Sequence, residues 1–400
     1  MNELYTNFLE LAKTAVPYFG QWTYTHPMIV TQETNETMRF LQKAMYTSIR
    51  HFVENYDAYR HLMPVSEQVS AILSLCKDVP YRPGTYRTDF LIDENKRIRL
   101  IEITCRFALN GFLRSGFFHL LADRFIQEHP QVVKIDPYTA FFDELAAYFG
   151  AFSHVCLLKD DKFNEGRYLK LLFQSAGYPV HVLELDDIPA RLDLLEHAAV
   201  IGQLRHDELC ALSLPVVERI IHSNLINDLR TVLLIHDKRF FAVLGNDDFL
   251  HTALSKANAE RFRAHLVPTW GWHERRDLWA QARQHKEDWV IKPRALGMGI
   301  GVKAGCLTAE AEWQAVFSQA DVEDLTLQPY VPQARFHGWV GEEERREDYV
   351  VGTLLFFEDH YFGPGLFRAS SCPITNQGDD RKIAPLVSPA FAGIDERMVI

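Results

Sequence analysis

Residues 289–305 read WVIKPRALGMGIGVKAG, an apolar run that delivers Lys292 and passes at once into a loop with glycines at 297, 299 and 301. The apolar run predicts a strand, and the glycines predict backbone that can approach a ligand closely. A lysine at a strand end beside such a loop suits a phosphate chain, because loop N–H groups and the ammonium can face the same anion. The spacing fits neither G-x-x-x-x-G-K-[ST] nor G-x-G-x-x-G, which argues against a P-loop or a dinucleotide fingerprint. Alone, the segment reads equally as an ordinary β-hairpin turn carrying an exposed lysine.

Four hundred residues, 47% hydrophobic and 12% aromatic, are enough for two or three globular domains. With 42 Lys+Arg against 53 Asp+Glu, the formal charge of −11 repels nucleic-acid backbones and anionic lipid surfaces, so neither is an expected partner. The six cysteines, at 76, 105, 156, 210, 306 and 372, form no C-x-x-C pair. They read as reduced packing residues of a cytoplasmic protein rather than a disulfide framework or zinc site. Acidic Glu3 and Glu10 stand where a signal peptide would be basic, and no apolar run approaches the roughly 18 residues of a membrane span. None of the 17 histidines falls in H-E-x-x-H or H-x-H.

Residues 1 to about 75 carry helix-period apolar positions such as Phe8, Leu9, Leu11, Ala12 and Ala15, and predict a helical N-terminal layer over 1–80. RTDFLIDENKRIRLIEI, 87–103, predicts a β-hairpin turning at Asp93, Glu94, Asn95 and Lys96, within a segment 81–150 that completes a catalytic sheet. Over 151–230 the order VCLL, a helix from about 164 to 176 stopped by Gly177, PVHVLEL and AAVIGQL predicts an open α/β domain with a parallel sheet. Such domains place ligands at strand C-terminal ends. From 231 to 400 the expectation is helices after LLIHD, a short strand at HLVPTW, the Lys292 strand, a helix over 308–319, and LTLQPYV. EDYVVGTLLFFE and YFGPGLFRA complete it as an antiparallel pair. The fold class is therefore α/β.

Five segments in order carry a resemblance: RTDFLIDENKRIRLIEITCRFALNGF (87–112), DKRFFAVL (237–244), VIKPRALGMGIGV (290–302), LQPYV (327–331) and GLFRASS (365–371). Together they resemble the ATP-grasp ligases, specifically the circularly arranged branch containing eukaryotic-type glutathione synthetase, and more distantly glutathionylspermidine synthetase. The resemblance implies an ATP-grasp fold with ATP and Mg²⁺ as cofactors. It puts Lys238 and Lys292 on nucleotide phosphates, Gly297, Gly299 and Gly301 over them, and Gln328, Pro329, Tyr330 and Val331 at an adenine-side hinge. Glu102 takes the first position of the family's E-x-N metal motif, with Asp89 and Thr104 as further metal-site candidates. Arg87 and Arg368 would act in catalysis and hold substrate carboxylate, since guanidinium geometry matches a carboxylate. Asn376 would lie in the substrate loop.

The chain departs from that pattern at three places. Thr104 stands at the asparagine position, Ala295 and Leu296 stand where glutathione synthetases have a further carboxylate, and Ser370 replaces a lysine. Each assigned residue has a structural alternative: Lys238 as a helix-end charge, Glu102 as a strand surface charge, the arginines as surface ion pairs, 328–331 as a buried strand, Asn376 as a turn cap. The resemblance implies an ATP-dependent carboxylate–amine ligase working through an acyl phosphate on amino-acid-like substrates, and a homodimer. The departures leave open a catalytically degenerate ATP-binding protein, serving as nucleotide sensor or binding subunit.

Overall fold

The computed structural model describes residues 3–20, 23–121, 123–132, 138–160, 165–340, 344–377, 379, 381–388 and 399–400. Strand β1 (Met28–Thr31) follows an N-terminal helix, Glu3–Gly20, and leads into a long helix, Gln32–Glu54, whose N-terminus is capped by the Thr31 hydroxyl accepting from the Thr34 N–H. The hairpin β2 (Thr85–Ile92) and β3 (Ile98–Thr104) turns where Asp93 Oδ1 accepts the N–H groups of Asn95 and Arg97. That is the local bonding which favours aspartate in turns. Next come β4 (His154–Leu158), helix Gly166–Ser175, β5 (Val180–Leu183), β6 (Ala198–Gly202) and β7 (Leu225–Ile226). These four strands make a parallel sheet in the order β5-β4-β6-β7.

A second small sheet, β10-β9-β11-β8, is antiparallel and built from β8 (Trp270–Gly271), β9 (Trp289–Pro293), β10 (Lys303–Ala304) and β11 (Leu325–Pro329). The last strands are β12 (Arg335–Val340), β13 (Glu344–Phe357), β14 (His360–Pro364), β15 (Phe367–Ser370), β16 (Arg381–Ile383) and β17 (Pro385–Ser388). The 14-residue β13 pairs with β2, β12, β14 and β15, so a seven-stranded sheet draws strands from both ends of the chain. β1 and β17 pair in parallel as a separate ribbon.

Three sequence expectations are corrected. YFGPGLFRA is not one strand: it breaks at Gly365 and Leu366 into β14 and β15, both antiparallel to β13. HLVPTW is not a continuous strand: Leu266 bridges to Leu100, Pro268 has no N–H with which to extend that ladder, and only the last residue of the segment, Trp270, enters a strand. The expected helix over 308–319 is shorter, Glu310–Val316.

Strand alternation gives the seven-stranded sheet two chemically different faces. Tyr86, Phe90, Leu100, Leu354, Phe356 and Phe367 belong to one apolar core with Met38, Leu41, Met45, Ile49 and Phe52, the buried stripe of the long helix. Gly352 sits against Phe90 here, and a Cβ on it would lie 2.2 Å from the Phe90 ring. The opposite face carries Arg87, Asp89, Glu102, Thr104 and Arg368, in mutual register across β2, β3, β13 and β15. The small antiparallel sheet is built likewise. Trp289, Ile291, Leu325 and Leu327 pack on Trp279 and Trp313, leaving Val290, Lys292 and Gln328 on the other side.

Candidate functional site: a cleft between two sheets

The polar faces of the two sheets meet across a cleft of about 740 Å³, counting its open mouth. Glu102, Arg368, Leu91 and Val351 come from the large sheet; Lys292, Val290 and Gln328 come from the small one. Lys238, Leu296, Gly299, Val302, Pro329, Tyr330, Val331 and Asn376 complete the lining with other apolar groups. The volume and the mixture of apolar walls with a few convergent charges suit a small-molecule site.

A β-bulge joins the two sheets. Asp89 faces Glu102 and Phe90 faces Leu100, so Ile101 is the extra residue on β3. Its carbonyl, outside the ladder, accepts from the Gln328 amide at 3.0 Å and lies 3.5 Å from Lys292 Nζ. Gln328 also donates to Thr269 Oγ1 at 2.8 Å, which locks its amide. The bulge therefore sets Glu102 against the lysine of a strand nearly two hundred residues away in sequence.

Glu102 Oε2 lies 3.7 Å from Lys238 Nζ and 3.9 Å from Lys292 Nζ. Burial alone would raise its pKa, but Lys238, Lys292, Arg368 and Arg87 together overcome that and hold the carboxyl down at about 2. Lys292 fares differently. Burial pushes it down to about 8, Glu102 opposes the shift, and neighbouring Lys238 adds to it. The pair is asymmetric because one carboxylate is shared among several cations, whereas Lys292 has few anions to answer its lost hydration. Lys238 sits in the break between the helical turn Thr231–Ile235 and the helix Phe240–Gly245; its N–H donates to the Arg294 carbonyl and its ammonium to that of Leu296. It thus holds the root of the glycine loop. His236, two residues earlier, is buried and neutral, its pKa lowered to about 3 by burial, then by Lys238 and Arg106.

Arg87, Asp89 and Thr104 adjoin the cleft without lining it. Asp89 has no exposed surface and accepts from Arg87 Nε at 2.7 Å, Arg87 Nη2 at 3.3 Å and Arg368 Nη2 at 2.5 Å. The Thr104 hydroxyl lies 3.4 Å from Arg87 Nη2. These two metal candidates thus face guanidinium groups, which as arranged makes Asp89 an orienter of two arginines. Arg368 also donates to Asn376 Oδ1 at 3.2 Å, and Ser370 donates to Asp379 at 3.1 Å.

Of the loop glycines, Gly299 lines the cleft, while Gly297 and Gly301 lie outside the lining. Gly299 and Gly301 have φ of 69° and 71°, a conformation that favours glycine. Gln377, unmarked in the sequence reading beside its neighbour Asn376, latches the loop: its amide donates to the carbonyls of Gly299 at 3.0 Å and Val302 at 2.8 Å. The Ile101 carbonyl and Thr269 were likewise missed, since neither a bulge nor a locked amide has a sequence signature.

A family model described as the AnkG N-terminal domain matches residues 39–234, just under half of the chain, which takes in Arg87 and Glu102 but not Lys238 or Lys292. No curated protein matches by sequence. Among solved structures, the chain is similar to a glutathione synthetase-like effector from Globodera pallida in its apo form, with 14% identity, a TM-score of 0.61, and 95% of this chain and 96% of that chain covered. The fold is glutathione synthetase-like. At that identity the likeness speaks for the fold alone. No helix among the described residues is long and apolar enough to cross a membrane.

Proposed function

We propose that the cleft belongs to an ATP-grasp site, and that the chain joins a carboxylate to an amine at the expense of ATP. The observation that carries the reading is the convergence of Lys238, Lys292 and Arg368 on one cleft, built from two sheets whose cores lie behind them. In the reaction, a carboxylate oxygen of the acid attacks the γ-phosphorus and the bond to the ADP oxygen breaks. The amine nitrogen then attacks the acyl carbon, phosphate leaves with its ester oxygen, and the nitrogen loses a proton. Lys238 and Lys292 would offset charge on the phosphates, and the wall at Gln328, Pro329, Tyr330 and Val331 would receive the base. Arg368, held by Asp89 and Asn376, would align the acceptor carboxylate beside the γ-phosphate. Arg87 would orient substrate from behind the same carboxylate.

Magnesium, which the resemblance implies, fits the described residues poorly. No group of three potential metal-ligating side chains occurs among them, and Glu102 is the sole carboxylate among the residues lining the cleft. Mg²⁺ demands near-octahedral oxygen ligation, and one carboxylate paired with two ammonium groups offers little of it. The same observation favours a second reading, an ATP-binding protein that senses nucleotide without turning it over. Incubation with ATP and pools of carboxylates and amines, following ADP and new amide masses, separates the two. Nucleotide binding with no substrate-dependent ADP would remove the ligase reading.

A further inference from the structure

We propose that this cleft grips the phosphate chain of its nucleotide directly through protein cations, so that binding needs no divalent ion. The proposal rests on the nucleotide-binding reading and concerns how the phosphates are held. Its first support is the surroundings of Glu102. The nearest charged groups to its carboxylate are two ammonium groups, at 3.7 and 3.9 Å, so a divalent cation seated there would meet two positive neighbours at close range. Asp89 offers no alternative seat, because two guanidinium groups already occupy its oxygens.

The second support is the balance of charge. Lys238, Lys292 and Arg368 face the cleft against the single carboxylate of Glu102, which leaves a positive surplus in a partly desolvated space. Such a space attracts a triphosphate, and more strongly when no bound ion has cancelled part of its charge. The Lys238 ammonium rests on the Leu296 carbonyl at the root of the glycine loop, a contact a phosphate oxygen can replace with a charge-assisted one. A metal-bridged mode would instead draw on carboxylates beside the phosphates, and Glu102 is the sole carboxylate among the described residues lining the cleft.

The experiment is equilibrium binding of a fluorescent ATP analogue to the full chain, in EDTA and in saturating Mg²⁺ at matched ionic strength. The expected result is a Kd in EDTA equal to or below that in Mg²⁺, weakening as salt is raised. Affinity about tenfold or more tighter with Mg²⁺ would overturn the proposal and leave nucleotide binding intact. No binding under either condition would overturn both, so the two failures are distinguishable.

Discussion

Replacing Lys292 by methionine should strengthen the fold and weaken the site. The lysine ordinarily titrates at 10.5 and is pushed down to about 8, with only 8% of its side chain exposed, so its charge is a burden on the nucleotide-free protein. At about 1.4 kcal/mol per unit, the relief on removing that charge is on the order of 3 kcal/mol at pH 7, below both pKa values. Glu102 loses one cation but keeps Lys238, Arg368 and Arg87, and methionine fills the space of the lysine stem with apolar atoms. A phosphate contact through a charged group contributes about 1.5–3 kcal/mol, so nucleotide affinity should fall roughly 10- to 150-fold. Between pH 8 and 10.5 the unfolded wild-type chain binds more protons than the folded one, so wild-type stability rises with pH across that window. Lys292→Met should lose that rise. Urea denaturation at pH 7 and pH 10 with analogue titration checks all three. A variant less stable than wild type at pH 7, or one that binds nucleotide unchanged, would refute the assignment of a buried, strained phosphate lysine.

Two further outcomes follow from the same contacts. Asp89→Asn removes the fully buried charge that faces both Arg87 and Arg368, leaving two half-buried guanidinium groups short of a counterion; a loss of about 3–5 kcal/mol in urea denaturation is expected. A change under about 1 kcal/mol would show that the arginines hold their positions without it. Gln377→Ala deletes the two bonds through which Gln377 fastens the glycine loop, so chymotryptic cleavage near Leu296 and Met298, both exposed, should accelerate while global stability changes by only about 1 kcal/mol. Equal cleavage rates would mean the latch does not restrain the loop.

The sequence showed local chemistry far better than distant pairing. The hairpin was legible because Asp93 sits where an aspartate bonds its own turn, and the glycine loop because three glycines in five residues mark backbone free to turn tightly. That β2 pairs with β13, some 260 residues on, has no local signature; only a resemblance in motif order placed Glu102 and Lys292 together. The bulge at Ile101 was invisible, since an extra residue in a strand shows only against its partner. β1 and β17 went unseen for a similar reason: four residues each, at opposite ends of the chain, they are strands chiefly because they pair with each other.

The arrangement of cores explains why a strained lysine can persist here. Each sheet turns an apolar face to its own core, Phe90 and Phe356 against the long helix in one case, Trp279 and Trp313 behind β9 and β11 in the other. The backbone bearing Glu102 and Lys292 is thus fixed from behind, and the charges cannot relax toward water by moving the strands. Burial then lowers Lys292 toward neutrality, and an arriving anion recovers what the empty cleft withholds: it restores the favourable environment of the charged form and draws the pKa back up. Stability given up in the free protein becomes affinity for a polyphosphate, the usual direction of exchange between fold and site. Affinity should therefore hold steady below about pH 8 and decline above it, as the free protein loses the Lys292 proton that the bound state retains.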